Sequence, residues 1–498
     1  MQKKGEISFT NEQFFALMEM NKQQALQIEK LTRELAQLKK LLFGSKQERV
    51  ELINPLQLSL DMGLGNTTPS EVTTEEISYT RTKTKEKANP NRSPLPANLP
   101  REIIEINPLE DTTGMKLIGY DITEQLEMTP AKFYVKQYKR AKYARPEGNG
   151  IAIGNLPEFA LPKAIAGSSV LTHLLVSKYV DHLPLHRQIK MFSRIGMTLS
   201  DSTVNDWIVR GVNLLRVIHD RQSEILLSSN YIQIDETPIQ VLDSEKKGKT
   251  HRGYFWVSHS PQEKVVVFNY SKGRSAQFPT EFLKKYHGYL QTDGYVVYDN
   301  FEQKNGITLL GCMAHVRREF IEASNNDKQR SDYFIGHLQR LYKLEEELRK
   351  SNAGADEILA KRQEIEVPIL EHLHQWLKEN IIQVTPQSSI GKAIAYALTR
   401  WDKLMRYAHN PILQIDNNLI ENQIRPVAIG RKNYMFCGSH ESAERTAIIY
   451  SLFGTCKLHN INPHDWLLDV LQKLPARKAN NIDDLLPQNW KPDFQGVV

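Results

Sequence analysis

From Phe14 onward, apolar and uncharged polar positions recur at alternating spacings of three and four: Leu17, Asn21, Gln24, Ile28, Leu31, Leu35, Leu38 and Leu42. Such a spacing keeps one stripe of a helix facing a partner, the seam of a coiled coil. Asn21 and Gln24 put polar groups into the seam, and a buried polar pair is one way to fix register in a dimer. The alternative is a single amphipathic helix packed on its own chain. Gly44, in LLFGSKQERVE, ends the helix. Residues 62–100 then hold few apolar side chains and several prolines, too little surface to repay the entropy of ordering, and read as a linker.

Between 164 and 220 the period is helical. In RQIKMFSRIGMTLSDSTVNDWIVRGV one apolar-periodic segment ends at Gly196, and Ser200 or Ser202 can cap a second that turns Val204, Trp207 and Ile208 inward. This is helix-turn-helix punctuation, which many helical hairpins share. From Tyr231 the period drops to two: YIQIDETPIQVL, GYFWVSHS and KVVVFNYS read as strands, a helix follows around 275–286, and strands return in HGYLQTDGY and GITLLGCMAH. Residues 320–410 switch back to helices, with Phe334, Leu338, Leu341 and Leu348 on one face and Ile394, Leu398 and Trp401 on another. From about Ala443 the chain is helical again and closes in a proline-bearing tail. Strands, a helix and more strands predict an α/β layered domain interrupted by a helical insertion.

Composition refines this. A chain of 498 residues is longer than one core needs, so the protein is multidomain. No apolar run approaches the ~20 residues that cross a bilayer, and MQKKGEISF lacks the apolar core of a signal peptide, so a cytoplasmic protein with no membrane partner is expected. Cys312, Cys437 and Cys456 are too few and too scattered for a disulfide framework, in keeping with a reducing compartment. A net charge of +6 alone supports a polyanion partner weakly; its placement matters more. AKFYVKQYKRAKYAR carries Lys132, Lys136, Lys139, Arg140, Lys142 and Arg145 with four aromatics interleaved and no acid. It can neutralise phosphates while its rings pack or stack, and an edge strand guarded by lysines has the same composition.

The carboxylates carry the chemistry. Alternation puts Ile232 and Ile234 on one face of their strand and Gln233, Asp235 and Thr237 on the other, where Asp235 needs a partner or a metal. Glu236 points the opposite way. Asp293 ends HGYLQTD ahead of Gly294, where a sheet edge presents ligands or a plain turn forms. Glu421 fits a capping box with Asn418 as N-cap, yet it also shares a helix face with Arg425, while Asp416 suits the helix dipole. Two acids from strands and one from a helix start can converge on Mg²⁺, and a pair of such ions ~3.5–4 Å apart would serve an in-line phosphoryl displacement. Arg431 and Lys432, in a basic turn, and Arg425 would then hold phosphates, with Tyr434 and Phe436 packing on a sugar or base. Cys312-x-x-His315 and Cys437-x-x-His440 could compose a zinc site, but nothing in the sequence joins them; His315 is read instead as adjacent to the active site or structural.

With these stretches in hand the chain resembles a transposase of the insertion sequence 66 family, within the DDE, retroviral-integrase-like superfamily. The matching blocks are LLFGSKQER, PLHRQIKMFSRIGMTLSDSTVNDWI, IQIDETPIQV, TDGY, CMAHVRREF, IDNNLIENQIRPVAIGRKNYMFCGS and SLFGTCKLHNINPHDWLLDVLQKLP, in the family's order over nearly the whole chain. The resemblance implies an RNase H-like catalytic domain with Asp235, Asp293 and Glu421 as the DDE triad and metal ligands, holding Mg²⁺ or Mn²⁺. It implies hydrolysis at a transposon end of bacterial DNA and attack of the freed 3′-hydroxyl on target DNA, with the protein at the nucleoid when bound.

Partners expected on this basis are double-stranded DNA at the inverted-repeat ends and target, a second copy through the coiled coil, and accessory proteins of the same element. The candidate DNA contacts are Arg425, Arg431, Lys432, Lys136, Lys139, Arg140 and Lys142; His315 and Asn418 are active-site-adjacent candidates. Family members carry a cysteine-rich zinc module before the basic strand, and here DTTGMKLIGYDI and KYARPEG hold no cysteine, which argues against zinc there. The expected layout is a coiled-coil helix over 10–50, a linker over 51–100, a small β-rich basic module over 101–160 and a helical region with the helix-turn-helix over 161–225. The α/β domain follows in two parts, 226–320 and 413–445, split by the insertion at 321–412, with a helical C-terminal region over 446–498. The rival reading is a catalytically inert coiled-coil and helix-turn-helix DNA-binding regulator.

Overall fold

The computed structural model describes residues 133–139, 142–144, 151–153, 155–242, 248–302, 306–478 and 480–492. The coiled-coil seam, the linker, Arg140 and much of the basic module lie outside the described residues. Of the basic stretch, 133–139 forms neither helix nor strand, and β1 (Lys142–Ala144) pairs antiparallel with β2 (Ile151–Ile153).

Three helices follow: α1 (Ser168–Tyr179), α2 (Leu185–Arg194) and α3 (Asp201–Ser228). The turn between α2 and α3 holds Gly196 at φ +87°, and the Ser200 hydroxyl accepts from the Thr203 amide to start α3. Val204, Trp207 and Ile208 are buried, so the apolar period places this helix as its sequence predicts.

β3 (Tyr231–Leu242) is the central strand of a five-stranded sheet. On one side it pairs antiparallel with β4 (Thr250–Ser260), and β4 with β5 (Val265–Ser271). After α4 (Gln277–Phe282), β6 (Gly288–Gln291) pairs parallel with the other side of β3, and β7 (Ile307–Leu310) parallel with β6. Both faces are covered. Ile232, Ile234, Trp256, Val265, Val267, Leu290 and Leu309 share one core, and Ile239, Val257, Val266 and Phe268 join another with α3 and the C-terminal helices.

The insertion consists of α5 (Met313–Ala323), α6 (Lys328–Lys350), α7 (Ala355–Lys361), a π-helical turn at Arg362–Glu366, α8 (Val367–Ile381) and α9 (Ser389–Met405). Its core of Phe320, Phe334, Leu338, Leu373 and Trp401 meets the sheet at Tyr231 and Leu310. Arg362, 2% exposed, straps the returning chain. Its guanidinium donates to both oxygens of Glu345 at 2.7 and 2.9 Å and to the carbonyls of Tyr407, Asn410 and Leu413 at 2.9–3.0 Å.

The chain then forms α10 (Asn418–Tyr434), α11 (His440–Leu458) and α12 (Pro463–Lys473). Here the sequence reading is corrected: Arg431 and Lys432 lie in the last turn of α10, not in a basic turn. Pro426 sits inside the helix, where it removes one backbone hydrogen bond, and burial of Ile420 and Val427 on either side outweighs that loss. Helix α11 covers the outer edge of β5. The Val266 and Phe268 amides, which point away from β4, donate to Thr455 Oγ1 at 3.2 Å and Ser451 Oγ at 2.7 Å. Gly454 permits this approach, since a Cβ there would lie 2.6 Å from Val266 Cγ1. Among the described residues no helix is long and apolar enough to cross a membrane.

Candidate functional site

The parallel register of β3 and β6 sets Gln233 beside Gln291; continued two residues, it brings Asp235 alongside Asp293, just past the end of β6. Both acids are half-buried. Burial pushes the Asp235 carboxyl well above the usual range, the neighbouring Asp293 adds to this, then Glu236 and, least, Glu421; the Glu236 amide, donating to Asp235 Oδ1 at 2.7 Å, opposes them.

Asp293 is held by its own backbone. Its Oδ1 accepts from the Tyr295 amide at 2.8 Å, and its carbonyl accepts from the Tyr396 hydroxyl of α9 at 3.0 Å. Gly294 follows at φ +90°, with its carbonyl accepting from Arg400 at 3.0 Å; a Cβ there would lie 2.7 Å from Arg400 Nε. The insertion thus grips the turn that presents Asp293.

Beneath the pair lies a buried polar network. Gln233 Nε2 donates to Gln291 Oε1 at 2.9 Å, to Tyr231 Oη at 3.0 Å and to the Asp416 carbonyl at 3.0 Å. Gln291 Nε2 donates to the carbonyls of Gly311 and Gln414 at 3.0 and 2.9 Å. Two strand glutamines therefore tether the segment that leads into α10 and Glu421.

Glu421 lies one turn into α10, half-buried, with Oε1 3.7 Å from Arg318 Nη2 of α5. Burial raises its carboxyl, Arg318 opposes most strongly, and Asp416 and Asp293 add smaller upward contributions. The capping box is corrected: Asn417 is the N-cap and makes no side-chain cap bond, and Asn418 is the first helical residue. Asp416 takes the role instead, accepting from the Asn418 amide at 3.0 Å and from Asn418 Nδ2 at 2.7 Å, because its charge also suits the helix N-terminus. Glu421 is left to face Arg318.

Asp235 and Asp293 form an all-oxygen donor pair, the kind that suits a hard cation which keeps several of its waters. Among the described residues, no group of three or more His, Cys, Asp or Glu side chains is arranged to hold a metal ion. The donor chemistry of the aspartate pair fits magnesium or manganese, while Glu421 is the weakest of the acids acting on Asp235 and pairs with Arg318. Glu236 belongs to a separate pair. Its side chain is 1% exposed, receives Arg274 Nε at 2.6 Å and the Tyr298 hydroxyl at 3.1 Å.

His315 lies on α5 within the field of Asp293: burial and then Arg318 push its imidazole down, and Asp293 opposes them only in part. The two Cys-x-x-His pairs engage different partners. Cys312 Sγ lies 2.9 Å from Asn417 Oδ1, Cys437 Sγ 3.9 Å from Thr446 Oγ1, and His440 Nδ1 2.7 Å from the Tyr270 hydroxyl.

The family model described as the IS66 family transposase matches residues 163–445, a span that contains Asp235, Asp293 and Glu421. The chain belongs to the IS66 transposase family. The IS66 C-terminal element matches residues 451–488, and a model described as transposase C of IS166 homeodomain matches 30–104. Among similar proteins, uncharacterized protein y4jD of Sinorhizobium fredii is 30% identical over 490 residues, covering 94% of this chain and 95% of that protein. Uncharacterized protein y4qI of the same organism is 31% identical over 493 residues, covering 94% and 90%.

Within this IS66 transposase the candidate DNA contacts are unequally placed. Arg431 is half-buried and donates to the Pro238 carbonyl of β3, so its cation is spent on the sheet. Arg425, Lys432, Lys136 and Lys139 are exposed; Lys142 lies in β1, its backbone in register with Ile153. Sequence reasoning missed Gln233, Gln291, Arg318, Tyr396 and Arg400. Gln233 shares the inner face with Asp235 and had a signal there. Arg318, three residues after His315 on a helix, had one too.

Proposed function

We propose that this chain is a DNA transposase that binds the double-stranded ends of its element and carries out metal-dependent strand cleavage followed by strand transfer. In this reading Asp235, Asp293 and Glu421 are the catalytic acids of an RNase H-like domain, and they would hold two Mg²⁺ or Mn²⁺ ions. Such ions, when bound, stabilise the attacking and leaving oxygens of an in-line displacement. The chain's own contribution is to fix the carboxylates before substrate arrives. Backbone amides cap one oxygen each of Asp235 and Asp293, leaving the other oxygen of each available. Arg318 holds Glu421 at the rim, and no side-chain nucleophile is required. Dimerisation through residues 10–50 and accessory proteins of the element complete the proposed assembly.

The observation that carries this reading is the Asp235–Asp293 pair. Two like charges side by side at a sheet end destabilise a fold unless a cation joins them. A catalytically inert DNA-binding regulator has no use for either acid. Asp235→Asn and Asp293→Asn are expected to lower strand cleavage of an element-end duplex on the order of a thousandfold while duplex binding persists. Full cleavage by both variants would exclude the proposal.

A further inference from the structure

The helix-turn-helix punctuation invites the view that the second helix meets DNA, but the exposed charge says otherwise. Helix α2 buries Gln188 and Phe192 and exposes His186, Arg187, Lys190 and Arg194. At about 100° per residue, these four fall within an arc of about 100° on one side of the helix. Among the described residues, none of their side chains is in an ion pair or hydrogen bond. Helix α3, by contrast, opens with exposed Asp201, Ser202, Asn205 and Asp206, and its first basic residue, Arg210, is engaged with Asp206 at 3.4 Å and with the Pro162 carbonyl. A helix that enters a groove brings its N-terminal residues closest to the polyanion, and here they carry two acids.

A second segment that bears cations is anchored on α2 at one end. In residues 133–139, Phe133 packs edge-on against Phe192 with ring centres 5.0 Å apart, and Tyr138 packs on Phe159 at 5.3 Å. Between these anchors Lys136 is exposed, and so are Tyr134 at 72% and Val135 at 91%; Lys139, just past Tyr138, is exposed too. Among the described residues, the exposed acids nearest in sequence are Glu158 for this segment and Asp181 for α2.

We propose that α2 is the helix that meets the phosphate backbone of duplex DNA, with residues 133–139 extending its surface, and that the start of α3 stays off the DNA. The proposal rests on the reading above that the chain binds DNA, and it assigns the surface. Long unpartnered cations without a planar polar partner on the same face suit phosphates rather than base edges, so the contribution is to affinity and not to sequence choice.

The test uses the full chain and fluorescein-labelled duplexes of two unrelated sequences, with anisotropy measured over a series of salt concentrations. The combined variant Arg187→Ala, Lys190→Ala, Arg194→Ala is expected to bind both duplexes about tenfold or more weakly, by the same factor for each. The slope of log K against log salt falls by about 0.9 for every phosphate contact removed. Asn205→Ala and Asp206→Ala on α3 are expected to bind as tightly as the parent or more tightly. Parental affinity and slope in the triple variant would overturn the assignment, as would a larger loss in Asn205→Ala. Failure here leaves cleavage by the parent intact, whereas failure of the catalytic reading appears as cleavage by Asp235→Asn; the two are read separately.

Discussion

At the scale of single residues, the site depends on how closely the insertion approaches the acid-bearing turn. Gly294 has a φ open to glycine and has Arg400 and Tyr396 against it. Gly294→Ala is therefore expected to cost about 1–3 kcal/mol of stability and to depress cleavage while duplex binding stays as in the parent. Thermal unfolding and a cleavage assay on the same preparation check this, and an unchanged melting temperature with full cleavage would count against the clamp. Asp235 and Asp293 were legible as candidates in the sequence, because an aspartate on the inner face of a β-branched strand and one before a turn glycine stand out against their surroundings. Arg431 was not legible in this way. Its acceptor, the Pro238 carbonyl, lies 193 residues away, and no local pattern announces it. Asn418 misled because Asp416, two residues earlier, takes the Asn418 amide that Glu421 would have capped.

At the scale of elements, alternation gave β3 its full extent, since every second residue of YIQIDETPIQVL must face a core. The continuation of α10 past Pro426 was hidden, because local propensity argues for a break and only tertiary burial overrides it. The π-helical turn had no sequence mark either, yet it seats a buried ionic cluster. Glu366 is fully buried beside Arg362 and Glu345; burial pushes its carboxyl up to about 8, Glu345 adds to this and Arg362 opposes. A raised carboxyl keeps its proton in the native state after the unfolded chain has lost it, so stability falls as pH rises from the ordinary glutamate range to about 8. Glu366→Gln fixes the neutral form. Its melting temperature relative to the parent is expected to start near equal in acid and rise through that window, reaching its full advantage above about pH 8. A constant difference across the window would remove Glu366 from the titration.

At the scale of the molecule, the three acids come from segments separated by a helical insertion, and the returning segment is tied twice: by Arg362 from the insertion and by Gln233 and Gln291 from the sheet. The sequence foretold the insertion from its change of period, but not these ties, which join residues far apart in the chain. Outside this body, deletion of residues 1–50 is expected to lower the sedimentation coefficient to that of a smaller assembly and to impair pairing of two ends more than binding of one. Unchanged oligomeric state would argue for a helix packed on its own chain.

The cover that α11 lays along β5 is synthesised late, since Ser451 and Thr455 follow their partners Phe268 and Val266 by 183 and 189 residues. Until they leave the ribosome, VVVFNY has a bare margin with unsatisfied amides. A gene copy interrupted ahead of His440 would then produce a fragment that seeds strand-to-strand association and precipitates. Decay of such a gene by truncation would leave insoluble debris, not a lingering soluble fragment.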